Sequence, residues 1–503
     1  MLSIRSRSAT RAETVADILV LGGGPGGMTA ALRARELGAE VVLVEKGRVG
    51  GICYNEGPAP VRTLARAARL ARDARAWPDF GLLGSPPRVD LAAAIANARR
   101  VAEHGCREKN LPGFLRSHGV RLIDGAESAR FVTPHAVVLR DGRRLEAESI
   151  IIATGGHAAR LPIPGQELAL TYSDLWSLGA LPERATVVGA SATGCQLASI
   201  LADFGCAIDI VETAPRIEPK SDVDVSVALR AAFERRGIGV TTGARVERLE
   251  KIDGGVRVVH RTGAGESLSY DTGAVFFAVG WPGNIDDLDL PAAGVATQGP
   301  YVAVNEHLQT SAANIYAVGD VNGMYMLVQS AAHEGIIAAE NAVFGPCRRY
   351  AYDIVPTGSF TDPEYASVGL TEEQARAKYD CAVAVVPHEA LTRAVADGRS
   401  EGFCKLVADR RNGRVIGGHV VGEYSAEVIQ LVASFMEGGT SVARIAELQL
   451  AYPTFTQAVV LAARRLAREL GLILAVTPWD DALDGEAGTG RASRARACAD
   501  VTA

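Results

Sequence analysis

Three glycines and a carboxylate are the first residues in this chain whose spacing points to chemistry. Gly22, Gly24 and Gly27 form a G-x-G-x-x-G turn between an apolar run at 18–21 and an Ala/Leu-rich helical stretch, and Glu45 ends the next apolar run. In that setting Gly22 permits a tight turn, Gly24 lets the backbone approach a pyrophosphate, and Gly27 allows close helix packing. The phosphates then lie on the positive helix N-terminus, and Glu45 is placed to accept hydrogen bonds from an adenosine ribose. The plan recurs at Gly189, Ser191, Gly194 and Glu212, with the carboxylate again 18 positions after the last glycine. Ser191 in place of the middle glycine crowds a phosphate slightly. Glu212 is expected to bond a ribose 2'-hydroxyl and to repel a 2'-phosphate, which favours NADH over NADPH, while the nearby Arg216 softens that preference. The plainer alternative for this second copy is a degenerate turn that binds nothing.

The remaining reactive side chains are sparse. Eight cysteines stand at 53, 106, 195, 206, 347, 381, 404 and 498, none in a C-x-x-C pair, so neither a zinc site nor a disulfide scaffold is expected. Cys53 lies near a helix start with Arg62 close by, a setting that lowers a thiol pKa, although an inert packed cysteine is the simpler reading. Tyr452 reads either as a proton donor or as a hydrogen-bonded core tyrosine. His333 falls in a predicted helix over 329–340 and reads as structural, and Cys498 lies on a Gly/Ala/Arg-rich tail.

Two β-α-β units of this kind need parallel sheets to carry them. Between the units lie predicted helices at 60–76 and 91–111 and strand-like segments from 120 to 139, and a strand reaching Gly280 follows the second unit. From about 354 the texture changes to strands at 402–407 and 415–421, then helices to about 474. The fold class is therefore α/β, with two Rossmann-like dinucleotide-binding domains and a C-terminal α+β domain. At 503 residues, 48% hydrophobic and 22% charged, the chain is globular and too long for one core. Its net charge of −6 argues against a nucleic-acid partner. No apolar run reaches the roughly 18 residues of a membrane span. The Arg/Ser/Thr-rich start has no signal-like core and is expected to be a tail, and the cysteine usage suggests a cytoplasmic protein.

With these motifs in view, the chain resembles the pyridine nucleotide-disulfide oxidoreductases, which include dihydrolipoamide dehydrogenase, glutathione reductase, mercuric reductase and soluble transhydrogenase. The likeness covers about residues 15 to 475. Its markers are Gly22 to Gly27, Gly50-Gly51-x-Cys53, Ala153-Thr154-Gly155, Ala317-Val318-Gly319-Asp320, Phe360-Thr361-x-Pro363-Glu364 and Pro453-Thr454. The resemblance implies FAD on the first fold, with Gly51, Thr154 and Gly155 packed near it and Asp320 bonding the ribityl chain. It also implies NAD(P)H on the second fold, closed by Gly280, and a homodimer built through the third domain. The expected limits are 17–168 and 283–350 for the FAD-binding domain, 169–282 for the NAD(H)-binding domain and 351–475 for the dimerisation domain. Tails are expected at 1–16 and 476–503.

The resemblance departs where the family's sulfur chemistry should be. Cys53 matches the outer thiol, but Pro58 stands where the cysteine beside the flavin belongs. Tyr452 and Gln457 replace the base histidine and its glutamate, and Arg62 and Gln196 replace the Lys/Glu pair beside the isoalloxazine. Losing the dithiol removes the need for its base, while hydride transfer from NADH to FAD belongs to the cofactors. The expected activity is therefore electron transfer from NADH through FAD directly to a small acceptor, a quinone or a second nicotinamide. A single-cysteine thiol/disulfide or peroxide reductase using Cys53 is the first alternative, and a redox-inactive nucleotide-binding relative is the second.

Overall fold

Ile18, Leu19, Val20 and Leu21 are apolar without alternation, the pattern of a strand covered on both faces, and all four are buried. They close β1 (Ala12–Leu21) in the computed structural model, which describes residues 12–126 and 128–472. β1 is an interior strand of a sheet ordered β3 (Arg121–Asp124), β2 (Val41–Glu45), β1, β6 (Arg144–Ile152), with these four parallel. On its other edge β6 pairs first with the antiparallel β5 (Ala136–Leu139), which carries β4 (Ala129–Thr133). The last three residues of β6 pair with the parallel β17 (Ile315–Ala317), which the chain reaches only after completing a second sheet.

That second sheet is wholly parallel and ordered β10 (Gly239–Thr241), β9 (Ala207–Val211), β8 (Arg184–Val188), β14 (Ala274–Phe277), β7 (Leu170–Thr171). A separate antiparallel meander, β11 (Arg245–Ile252), β12 (Gly255–Arg261) and β13 (Ser267–Thr272), lies between β10 and β14 in sequence. Two short antiparallel pairs follow, β15 (Thr297–Gln298) with β16 (Tyr301–Val302), and β18 (Thr357–Ser359) with β19 (Tyr365–Gly369).

The helices of this part are α1 (Pro25–Glu36), α2 (Gly51–Asn55), α3 (Pro58–Asp73), α4 (Leu91–Lys109), α5 (Leu111–Ser117), α6 (Ala192–Phe204), α7 (Val223–Arg235) and α8 (Val328–Phe344). α8 lies against α1 with glycine facing glycine, since a Cβ on Gly335 would strike the Gly26 carbonyl.

The described chain divides into two compact units, one ending at Gly369 and the other beginning at Leu370. The second unit holds the antiparallel ladder β20 (Cys381–Pro387), β21 (Phe403–Asp409), β22 (Val415–Val421). Its helices are α9 (Glu372–Lys378), α10 (Thr392–Ala396), α11 (Ser425–Glu437), α12 (Val442–Ala446) and α13 (Gln457–Glu469). The α/β class with two dinucleotide-type sheets and a C-terminal α+β unit is thus the architecture observed.

The boundaries moved for identifiable reasons. β1 begins at Ala12, before the expected Asp17. α3 starts at Pro58 rather than Pro60, because proline suits the first helical position, where its missing N–H costs no bond. α4 stops at Lys109 because Asn110 turns left-handed at φ 38° and its side chain then caps α5. The tail expected at 476–503, with Cys498, lies outside the described residues. Among the described residues no helix is long and apolar enough to cross a membrane.

The two nucleotide turns are copies of each other. Gly22 has φ +110° and Gly189 φ +99°, and a Cβ on either would strike a carbonyl of the neighbouring strand end, Ala153 or Ala278. Each turn closes with a 2.8 Å bond, Gly22 N–H to Val44 and Gly189 N–H to Val211. Substituting one turn should therefore disable one site. Gly22→Ala should yield protein without bound flavin, whereas Gly189→Ala should stay yellow but lose response to NADH. Flavin content and anaerobic NADH titration would check both.

Candidate functional site

At the first turn Glu45 is buried, and its two oxygens accept backbone N–H groups from Gly23 at 2.7 Å and Gly47 at 2.6 Å. Each oxygen keeps a lone pair for a ribose hydroxyl. Gly24, at the N-cap of α1, has nothing within 4 Å of where a Cβ would stand, so the turn leaves open room beside the helix N-terminus. Gly51, left-handed at φ +57°, borders that room, since its Cβ would lie 3.0 Å from the Gly24 Cα. Thr154 and Gly155 are fixed by Asn284: Thr154 Oγ1 donates to its carbonyl at 2.9 Å, and Asn284 N donates to the Gly155 carbonyl at 2.9 Å. The Asn284 amide donates in turn to the Thr154 carbonyl at 2.8 Å. A cradle at Gly24, a buried carboxylate at the end of β2 and a half-buried carboxylate at Asp320 together fit the pyrophosphate, ribose and ribityl groups of FAD.

The second turn repeats the clasp. Glu212 is buried and accepts from Ala190 N at 2.6 Å and Ala214 N at 2.7 Å. Ser191 is exposed at the N-cap of α6 and makes no capping bond. Gly194 must remain bare, because a Cβ there would strike the Gly189 carbonyl. Gly280 has φ +144° and its carbonyl accepts from Ala159 N at 3.0 Å. Arg216 donates from Nη2 to the Pro219 carbonyl at 2.8 Å, within its own loop.

Cys53 sits on α2, half-buried and unpaired. Burial pushes its thiol up to about 11, partly offset by Lys109, with Asp320 adding to the rise. The expected lowering by Arg62 does not occur, because Arg62 is engaged elsewhere. Its Nη1 donates to the buried Glu364 at 2.8 Å, and its guanidinium lies 4.4 Å from the centroid of the Phe360 ring. Gln196 meets the same segment, its Oε1 accepting from Phe360 N at 3.1 Å. Arg69 adds a contact to Glu364 at 3.7 Å, and Arg72 pairs with Asp362. The sequence reading did not single out Glu364 as a partner for Arg62, or Lys109. Glu364 lies 302 positions from Arg62, beyond any local pattern.

Glu334 was also missed, although it is fully buried on α8. Its Oε2 accepts from Gly319 N at 2.7 Å and Asn322 Nδ2 at 2.8 Å, which fixes the turn carrying Asp320. Tyr352 donates to Oε1 at 3.3 Å, and burial pushes the carboxyl up to about 7. His333, its neighbour on α8, packs edge-on against Tyr350.

In the second unit Tyr452 is 56% exposed, and its hydroxyl lies 2.9 Å from Thr392 Oγ1. The alternative of a core tyrosine is thereby set aside. Nearby in that unit His388 is buried edge-on against Phe455, and burial lowers its pKa to about 4, so the imidazole is neutral at pH 7. Among the described residues no cluster of three His, Cys, Asp or Glu could hold a metal ion.

Two expectations follow from these titrations. A carboxyl raised in the folded state binds its proton there more tightly than in the unfolded chain, so its stabilisation is full below the unfolded value and is lost as pH rises toward 7. Glu334→Gln should flatten the fall in stability between pH 5 and 8, by no more than about 3 kcal/mol, in denaturant titrations. Glu218, also pushed up to about 7 by burial, should leave part of the slope in place. For Cys53, peptide-resolved iodoacetamide labelling should show a rate rising toward pH 11 and, at pH 8, about 100-fold below that of a free thiol.

Comparison with known proteins accounts for this geometry. Residues 16–335 match the pyridine nucleotide-disulphide oxidoreductase family, and residues 355–463 match that family's dimerisation domain. The chain is 35% identical over 453 residues to dihydrolipoyl dehydrogenase of Zymomonas mobilis subsp. mobilis, covering 88% of this chain and 96% of that protein. It is 33% identical to mercuric reductase of Lysinibacillus sphaericus, covering 90% and 83% respectively. Among solved structures, LpdA from Mycobacterium tuberculosis superposes with a TM-score of 0.80 at 27% identity, over 90% of this chain and 100% of that one. The HOCl-induced flavoprotein disulfide reductase RclA from Escherichia coli superposes at 0.78 with 25% identity, over 89% and 99%. The chain belongs to the pyridine nucleotide-disulphide oxidoreductases and is an FAD-dependent oxidoreductase that uses a pyridine nucleotide.

Proposed function

We propose that this protein transfers electrons from NADH through FAD directly to a small diffusible acceptor, a quinone or a second nicotinamide, without a dithiol relay. The observation that carries the reading is the thiol site. Pro58 opens α3 where a second cysteine would have to stand, and Cys53 is unpaired and held protonated by burial. Classical lipoamide, glutathione or mercuric reduction draws on a pair of thiols, so those activities are disfavoured here. FAD, when bound, supplies the hydride acceptor and the outlet for electrons.

The chain's own residues supply binding and charge. Glu45, Gly22, Gly24, Gly27, Gly51, Thr154, Gly155 and Asp320 are assigned to FAD, and Gly189, Ser191, Gly194, Glu212 and Gly280 to the nicotinamide nucleotide. NADH is preferred over NADPH because Glu212 occupies the place that a 2'-phosphate would need, while Arg216 donates to the Pro219 carbonyl. Arg62 is the proposed cation beside the isoalloxazine, with its charge moderated by Glu364 in place of the carboxylate missing at Gln196. The exposed Tyr452 hydroxyl is the proposed proton donor to the acceptor. The matched dimerisation domain supports a homodimer, and seven unpaired cysteines among the described residues suit a reducing cytoplasm.

Anaerobic stopped-flow mixing tests this directly. NADH should bleach the flavin, a benzoquinone should restore its colour, and Cys53→Ser should turn over a quinone at the wild-type rate. Failure of both NADH and NADPH to bleach the flavin would sink the proposal. So would loss of quinone turnover in the serine variant.

A further inference from the structure

Trp281, the residue after Gly280, reaches a carboxylate 39 positions away. Its indole Nε1–H donates to Asp320 Oδ2 at 2.9 Å. We infer that Trp281 is a positioning residue for FAD, acting through Asp320. This rests on the assignment of Asp320 to the ribityl chain.

The geometry gives the ring little freedom. A Cβ on Gly156 would stand 2.6 Å from Trp281 Cδ1, so a bare glycine is what admits the indole. Tyr301 donates to the Trp281 carbonyl at 3.3 Å, and the Tyr301 ring in turn lies against Gly323, beside the turn that carries Asp320. Asp320 is fixed from the other side, because Glu334 holds Gly319 N and Asn322. The indole thus holds the carboxylate itself, while Glu334 holds the turn that carries it.

The charge surroundings explain why such a donor matters. Burial raises the Asp320 pKa, and the Trp281 bond opposes that rise. The titratable groups facing Asp320 are Glu334 on α8 and Cys53 on α2, and neither brings positive charge. Losing the indole N–H leaves a less ionised and less constrained carboxylate, which accepts a ribityl hydroxyl bond less well.

The test is FAD affinity in the full-length protein, measured by flavin fluorescence during reconstitution, which does not depend on NADH or on any acceptor. Trp281→Phe keeps an aromatic ring and removes the donor. It should raise the Kd for FAD by about 10- to 100-fold and move the acid limb of the binding profile to higher pH. In an Asp320→Asn background the same change should cost less than about threefold, with no shift of that limb. Trp281→His, which keeps a ring N–H, should recover part of the lost affinity, whereas a merely space-filling role would leave it as weak as Phe. Wild-type affinity in Trp281→Phe, or an equal loss in both backgrounds, overturns the inference. If Asp320→Asn alone binds FAD as tightly as wild type, the assignment of Asp320 falls and the inference falls with it, while the electron route is judged separately by flavin bleaching.

Discussion

A buried carboxylate gripping two backbone amides sets the geometry on which each nucleotide site depends. Glu45 ends β2 and Glu212 follows the last residue of β9, and each accepts one amide from the glycine turn and one from two residues downstream. Hydrogen bonds of this kind to a carboxylate contribute about 1.5–3 kcal/mol each, and here the one from each glycine turn is buried. They hold the turn so that the helix N-terminus points outward beside the end of the strand. The turns can close this tightly only because Gly22 and Gly189 lack a Cβ, which would strike the carbonyl of Ala153 or Ala278. The neighbouring strand ends, Ala153-Thr154-Gly155 and Ala278-Val279-Gly280, are thereby pressed against the sites they serve.

The same economy of contacts explains how a site for thiol chemistry tolerates the loss of one thiol. α2 and α3 are joined by Gly57, whose Cβ would meet the Ile52 carbonyl at 2.9 Å, so the junction is tight and strictly backbone-defined. A proline at the next position suits the helix start and keeps α3 in place. α3 carries Arg62, Arg69 and Arg72 on a common face, and these meet Asp362 and Glu364 from the Phe360–Glu364 segment. The geometry of the pocket therefore rests on ion pairs and backbone packing, and no sulfur–sulfur bond is needed to maintain it.

Much of the fold was legible because its signals are local. The two glycine turns, their helices and their terminal carboxylates lie within short windows, and the structure places each of them at the positions read. The helices over 329–340 and 91–111 and the strand over 415–421 were read close to their observed limits for the same reason. What escaped was non-local. Arg62 was read as a cation lacking the carboxylate that Gln196 replaces, yet its partner is Glu364, on a segment that sequence spacing cannot bring near. Glu334 looked like an ordinary helical acid, because burial of a charged residue is decided by tertiary packing around Gly319 and Asn322 rather than by helical period. Lys109 escaped because only the fold brings the C-terminal end of α4 beside α2, where its ammonium lies 3.1 Å from the Tyr54 hydroxyl.

The local chemistry around Cys53 bears on why a lone thiol would persist without a partner. A catalytic thiol needs its thiolate, which requires nearby positive charge and solvent. Cys53 has only Lys109 acting in that direction, against burial and the Asp320 carboxylate, and the balance leaves it protonated. Arg62, the cation that could have tipped it, is satisfied by a buried acid whose removal would leave the guanidinium and Arg69 without their common counter-charge. A thiol so placed is a poor source of thiolate near neutral pH. The proposed direct electron route is in keeping with this electrostatic setting: if an outside disulfide were delivered to the site, Cys53 would attack it as a poor nucleophile.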